Sequence, residues 1–75
     1  MTDPWDEIYL DAERLFRNAT GFVNMNSKAK SLKLAANKLM LLPIWYPGRD
    51  ELLEKINQYA HWCDIDLDKV SGYDV

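Results

Sequence analysis

Near its start the chain sets apolar side chains at Trp5, Ile8, Tyr9, Ala12, Leu15, Phe16 and Ala19. Steps of three and four residues put these on one face of an α-helix. Asp3 and Pro4 supply an N-cap and a first helical residue, and Asp6 and Glu7 favour the positive end of the helix dipole. A helix is predicted from about Pro4 to Thr20. Phe22 and Val23 continue its apolar phase past Gly21, so Gly21 is either a stop or a weak point. Trp5 is expected in the core. Asn24-Met25-Asn26-Ser27 reads as a turn in which Asn26 or Ser27 caps a second helix. That helix runs through Ala29, Leu32, Ala35, Ala36 and Leu39 to Leu42, where Pro43 stops it. PIWYPG, residues 43–48, is a stiff apolar connector bracketed by prolines. A third helix begins near Arg49, with Asp50 and Glu51 in its first turn and Leu52, Leu53, Ile56, Tyr59, Ala60 and Cys63 along its buried stripe. Asp66 caps a final helical turn from Leu67 to Ser71, with Ile65 and Val70 spaced as a hydrophobic staple and Gly72 suited to the C′ position. Nothing alternates as a strand would. The expected fold is all-α: a compact three-helix bundle with a short C-terminal helical turn, one domain over residues 1–75.

Size and composition make that fold demanding but feasible. A chain of 75 residues holds one domain and buries a small share of its surface. Its 48% hydrophobic and 12% aromatic content is too rich for a disordered chain. A single cysteine excludes an internal disulfide and favours a reducing compartment. No apolar run approaches the roughly 20 residues of a membrane span, and the acidic start is unlike a secretory signal. A cytoplasmic protein with no membrane partner is expected, which leaves the Asn18-Ala19-Thr20 glycosylation sequon without meaning.

The stretch HWCDIDLDKV, residues 61–70, gathers an imidazole, a thiol and three carboxylates, and invites a search for chemistry. Asp64, Asp66 and Asp68 match the first three ligand positions of a calcium-binding EF-hand loop. Lys69 stands where that loop needs glycine, and Val75 where it needs a bidentate glutamate. His61 and Cys63 are two apart, about 200° around a helix, so they share neither a zinc ion nor a proton. His61 falls with Glu54 and Gln58 on the solvent face, and Cys63 on the apolar stripe. No catalytic residue, no metal ligand set and no cofactor is expected.

Charge is more telling. Residues 1–13 carry five acids and no base, residues 14–49 seven bases and no acid, and residues 50–75 seven acids and two bases. The net charge of −3 therefore conceals an acid–base–acid block pattern. In one reading the acidic segments flank the basic middle helix in space and help set the topology. In the other, the basic face meets an acidic partner or a phosphate backbone. A nucleic-acid surface would draw on Arg14, Arg17, Lys28, Lys30 and Lys33, but a pI of about 4.9 speaks against a dedicated binder. So does the long connector between helices two and three, which does not suit a helix-turn-helix.

The middle helix carries a second apolar stripe. With Leu32, Ala36 and Leu39 at the centre of the buried face, Leu34 and Leu41 fall about 180–200° away, among Lys30, Asn37 and Lys38. Either this helix is sandwiched between the other two, or the leucines belong to an intermolecular contact. Trp45 and Tyr46 follow on the connector, as a lid over the bundle or as binding anchors. Trp62, beside His61 and off its helix's main stripe, is expected to be partly exposed. Ile44-Trp45-Tyr46-Pro47 before an acidic helix resembles the aromatic Tyr-Tyr-Pro stretch of the colicin-nuclease immunity proteins, small acidic four-helix inhibitors. The likeness covers four residues. Those proteins carry acids on the helix that meets the nuclease, whereas the second helix here is basic, so no residue role is carried over.

The expected function is that of a small non-enzymatic interaction protein: an adaptor, regulator or inhibitor, of the kind that phages and mobile elements encode. It would bind a protein partner through Leu34, Leu41, Trp45 and Tyr46, with Lys30 and Lys38 as an orienting rim. Homodimerisation through the second stripe is a special case. Nucleic-acid binding through the basic middle segment is the alternative.

Overall fold

The computed structural model describes residues 3–69 and consists, over them, of three helices, α1 (Pro4–Gly21), α2 (Met25–Met40) and α3 (Arg49–Trp62), followed by a 3-10 turn, Leu67–Lys69. The chain is an all-α three-helix bundle with a terminal helical turn, as the periodicity predicts. No helix among the described residues is long and apolar enough to cross a membrane.

Local chemistry sets most helix ends. The Asp3 carboxylate accepts the Trp5 amide at 2.9 Å, and Pro4 occupies the first helical position, where a missing N–H costs nothing. At the far end Phe22 turns extended after Gly21, so Phe22 and Val23 leave the helical phase and stay exposed. Asn24, rather than Asn26 or Ser27, caps α2: its Oδ1 accepts the amides of Asn26 at 2.8 Å and Ser27 at 3.3 Å. The whole four-residue turn is thereby shortened, and Met25 to Ser27 become the first turn of the helix. α2 ends at Met40, two residues before the predicted Leu42. Leu41 and Leu42 donate to Lys38 and Leu39 in i−3 bonds that tighten the last turn ahead of Pro43. Asp66 caps the terminal turn by accepting the Asp68 amide at 3.1 Å. Its partners in the expected staple and C′ motif, Val70 and Gly72, lie outside the described residues.

The core is a strip of Ala12, Ala19, Leu32, Ala35, Leu39, Leu42, Leu52, Ile56 and Ala60. Leu32, Leu39 and Ile56 are its largest fully buried side chains, each stabilising the fold by about 1.5–3 kcal/mol through lost water contact. α2 is the common partner: α1 packs on it most extensively, α3 less so, and α1 meets α3 least. Small residues, Ala12 and Ala19 on α1 and Ser31 and Ala35 on α2, sit fully inside, and the Ser31 hydroxyl donates to the Leu15 carbonyl at 2.7 Å across the pair. Of the α3 stripe, Leu52, Ile56 and Ala60 are buried; Leu53, Tyr59 and Cys63 are half-buried at its margins. Trp5, expected in the core, is 37% exposed in the first turn of α1, outside the buried cluster.

Candidate partner-binding surface

The connector from α2 to α3 is built from two successive turns. The Tyr46 amide donates to the Pro43 carbonyl at 3.0 Å, making Ile44 and Trp45 the central pair of the first turn. The Arg49 amide donates to the Tyr46 carbonyl at 3.2 Å, closing the second. There Pro47 sets the first central position, and Gly48, at φ 86° and ψ −10°, takes the left-handed one, which is the type II pattern. A Cβ at Gly48 would stand 2.9 Å from the Tyr9 hydroxyl oxygen. Both ends of the connector are pinned. Leu42 is buried before it, and Arg49 behind it donates from Nε to the Leu39 carbonyl at 3.1 Å, placing a cation on the C-terminal end of α2.

Tyr46 holds the connector against α1. Its ring lies 5.5 Å from that of Tyr9, and its hydroxyl donates to the Asp6 carboxylate. That hydrogen bond, with a smaller contribution from burial, pushes the Tyr46 phenol up to about 12. The Tyr9 phenol is also raised, chiefly by burial and then by Glu13 and Glu51. Tyr46 is therefore a half-buried anchor whose polar handle is already engaged within the chain, not a free side chain awaiting a partner.

The residues around it are turned outward. Ile44 is 80% exposed, Trp45 71% and Leu41 64%, and Met40 is exposed as well. Leu34, two turns before Leu41, is 37% exposed. The chain therefore covers Leu34 in part and leaves Leu41 largely open, so the sandwich considered for α2 does not enclose its leucine side. Lys30 is exposed beside Leu34, and Lys38 reaches Asp11 of α1 at 3.6 Å in an exposed pair. Such a pair contributes little to stability, about 0.2–1 kcal/mol, and is readily exchanged. All three ion pairs found among the described residues join a base of the middle block to an acid of a flanking one, but Arg17–Glu13 and Arg49–Asp50 are local in sequence and Lys38–Asp11 is the one that links two helices. Met40 was not singled out by periodicity, since its place in α2 is neither core nor leucine stripe. The signal was composition: Met40, Leu41, Ile44 and Trp45 crowd four large apolar side chains into six residues around a proline.

The five cations considered for nucleic acid are not equivalent. Arg14 and Lys30 are exposed, Lys33 is half-buried, and Arg17 pairs with Glu13. Lys28 is buried: its Nζ donates to the Tyr59 hydroxyl at 2.7 Å and lies 5.0 Å from the centre of that ring. The expectation that Lys28 faces a phosphate is corrected; it sits near the α2 terminus where Tyr59 of α3 shields it, and its stem fills space beside the core.

The cluster at residues 61–68 resolves into helix-end chemistry. Asp64 adopts φ 61°, the Asp64 amide donates to His61 at 3.1 Å, and the Ile65 amide reaches back to Ala60 at 2.8 Å. These bonds form a Schellman C-cap with Asp64 in the position glycine usually takes. Ile65, packed against the core, supplies its hydrophobic contact. His61 is exposed and Cys63 half-buried, with no hydrogen bond between them. Among the described residues no group of three or more His, Cys, Asp or Glu side chains could hold a metal ion. Trp62 is exposed and packs edge-on against Tyr59 at 6.4 Å. Comparison of the chain with protein-family models, with curated proteins and with solved structures found no match.

Proposed function

We propose that this chain is a small non-enzymatic protein-interaction module. It docks a protein partner through Leu34, Leu41, Ile44 and Trp45, with Met40 at the margin and Lys30 and Lys38 orienting the encounter. The observation that carries this reading is the connector: Ile44 and Trp45 are held outward at the centre of a hydrogen-bonded turn whose two ends are pinned to the core. A rigid exposed tryptophan loses little conformational freedom on binding, which is why such side chains dominate binding hot spots. Exposing them costs the isolated chain solubility, and a partner that covers them offsets that cost. Tyr46 serves the same surface indirectly, by fixing the turn.

Site-specific photocrosslinking in the native host tests this. A photoreactive residue placed at Trp45 or Leu41 is expected to yield a discrete protein adduct. The same residue at Glu54 or Gln58, on the solvent face of α3, should not. Equal labelling from both faces would sink the proposal. Leu41→Asp is expected to abolish the Trp45 adduct while leaving the helical circular dichroism unchanged.

A further inference from the structure

The second face of α2 has the spacing of a helix–helix seam. Lys30, Leu34, Asn37 and Leu41 follow one another at steps of four, three and four, the average of 3.5 residues at which a second helix stays in contact. In heptad terms Leu34 and Leu41 take the a positions and Lys30 and Asn37 the d positions. The flanking e and g positions outside the core are Lys33, Lys38 and Met40. The seam is about 16 Å long at the rise of an α-helix, and Ile44 and Trp45 project just beyond its C-terminal end.

Its charges select among occupants. Lys30 and Lys33 form no ion pair among the described residues, and no acid lies anywhere in residues 14–49. A second copy docking through the same seam would set lysines at e, g and d against lysines, which repels the like partner. An added β-strand has no sheet edge to pair with among the described residues. A nucleic acid would leave Leu34, Leu41 and Trp45 against phosphates, and Lys28 is unavailable to it. Resting on the interaction reading above, we propose that the occupant is an acidic amphipathic helix of a different protein. Its apolar stripe covers Leu34, Leu41 and Trp45, and its glutamates and aspartates flank Lys30, Lys33 and Lys38. Such a helix would exchange the exposed Lys38–Asp11 pair for its own acids.

The test is selection from an unbiased display library of helical peptides, with the intact chain as bait. Selected peptides are expected to carry leucine-like residues at helical spacing, flanked by acids. They should lose binding to Leu41→Asp, bind the double variant Lys30→Glu, Lys33→Glu about tenfold more weakly, and weaken as salt rises. Circular dichroism confirms that each variant is folded, and Trp45→Ala, which removes an exposed side chain, provides a second apolar probe. Peptides that depend on Leu41 and Trp45 but show no acidic bias would overturn the acidic-helix assignment and leave the interaction surface standing. Peptides indifferent to both substitutions would overturn the two together. A sedimenting dimer lost in Leu41→Asp would make a second copy the occupant. Retention on duplex DNA at low salt, lost in the double lysine variant, would make it nucleic acid. Either result overturns the proposal.

Discussion

At the residue scale, two side chains carry backbone and proton chemistry that can be measured directly. Asp64 holds φ 61° at the end of α3, a conformation that costs a residue with a Cβ about 1 kcal/mol or more and glycine almost nothing. It also places a negative charge at the negative end of the helix dipole. Asp64→Gly is therefore expected to stabilise the chain by about 0.5–1 kcal/mol, raising the melting temperature by a few degrees in thermal unfolding. Its greater flexibility when unfolded keeps the gain small. Tyr46 gives a pH signature. Its phenol is raised to about 12 by the hydrogen bond to Asp6, so the bond's contribution is complete below the ordinary value of 10.0 and is lost as pH climbs through about 12. A phenolate absorbance titration of the native chain minus that of Tyr46→Phe should show a single group titrating near 12. A midpoint near 10.0 would mean that the Asp6 contact does not form in solution.

At the element scale, the connector is the part whose sequence and geometry agree most closely. Pro47-Gly48 in a type II turn sets the entry into α3, and Gly48 also makes room for the Tyr9 hydroxyl. Gly48→Ala combines an unfavourable positive φ with a Cβ 2.9 Å from that oxygen, and is expected to cost about 1–3 kcal/mol in chemical denaturation. Because Tyr9 supports Tyr46, the loss should be accompanied by a change in the Trp45 fluorescence of the folded state. The helices themselves were legible from periodicity and caps: Asp3-Pro4 opened α1 and Arg49 opened α3 where expected, while α2 ended at Met40, two residues short of the expected Leu42. The start of α2 was not. Asn24, Asn26 and Ser27 are all competent caps, and which one is used depends on how soon the chain must reverse to lay α2 along α1.

At the scale of the whole molecule, the two leucine stripes of α2 separate folding from docking. Leu39 is fully buried and Leu41 is 64% exposed, although they lie two residues apart. Leu39→Ala is expected to destabilise the chain by about 2–5 kcal/mol through lost transfer energy and a cavity. Leu41→Ala should stay within about 0.5 kcal/mol of the native chain. Paired urea titrations check both. Comparable losses would mean that α1, α3 or a second copy covers the leucine stripe. The charge blocks act less as internal glue than their pattern suggests, since among the described residues one exposed pair, Lys38–Asp11, joins them across two helices, and the other two pairs are between near neighbours in sequence.

The order of residues alone determined three helices, their approximate ends and the existence of a surplus apolar stripe, because caps, prolines and the 3.6-residue period act over a few neighbouring positions. It also marked Asp66 as the cap of the terminal turn, since capping is local too. Only the tertiary structure decided which members of similar pairs face inward. Lys28 went inside and Lys30 stayed out; Tyr46 became an anchor while Trp45 remained free; Trp5 was left at the rim. For Lys28 and Tyr46 the deciding neighbours, Tyr59, Asp6 and Tyr9, lie far away in sequence. Burial at the margin of a helix face depends on where the other helices come to rest.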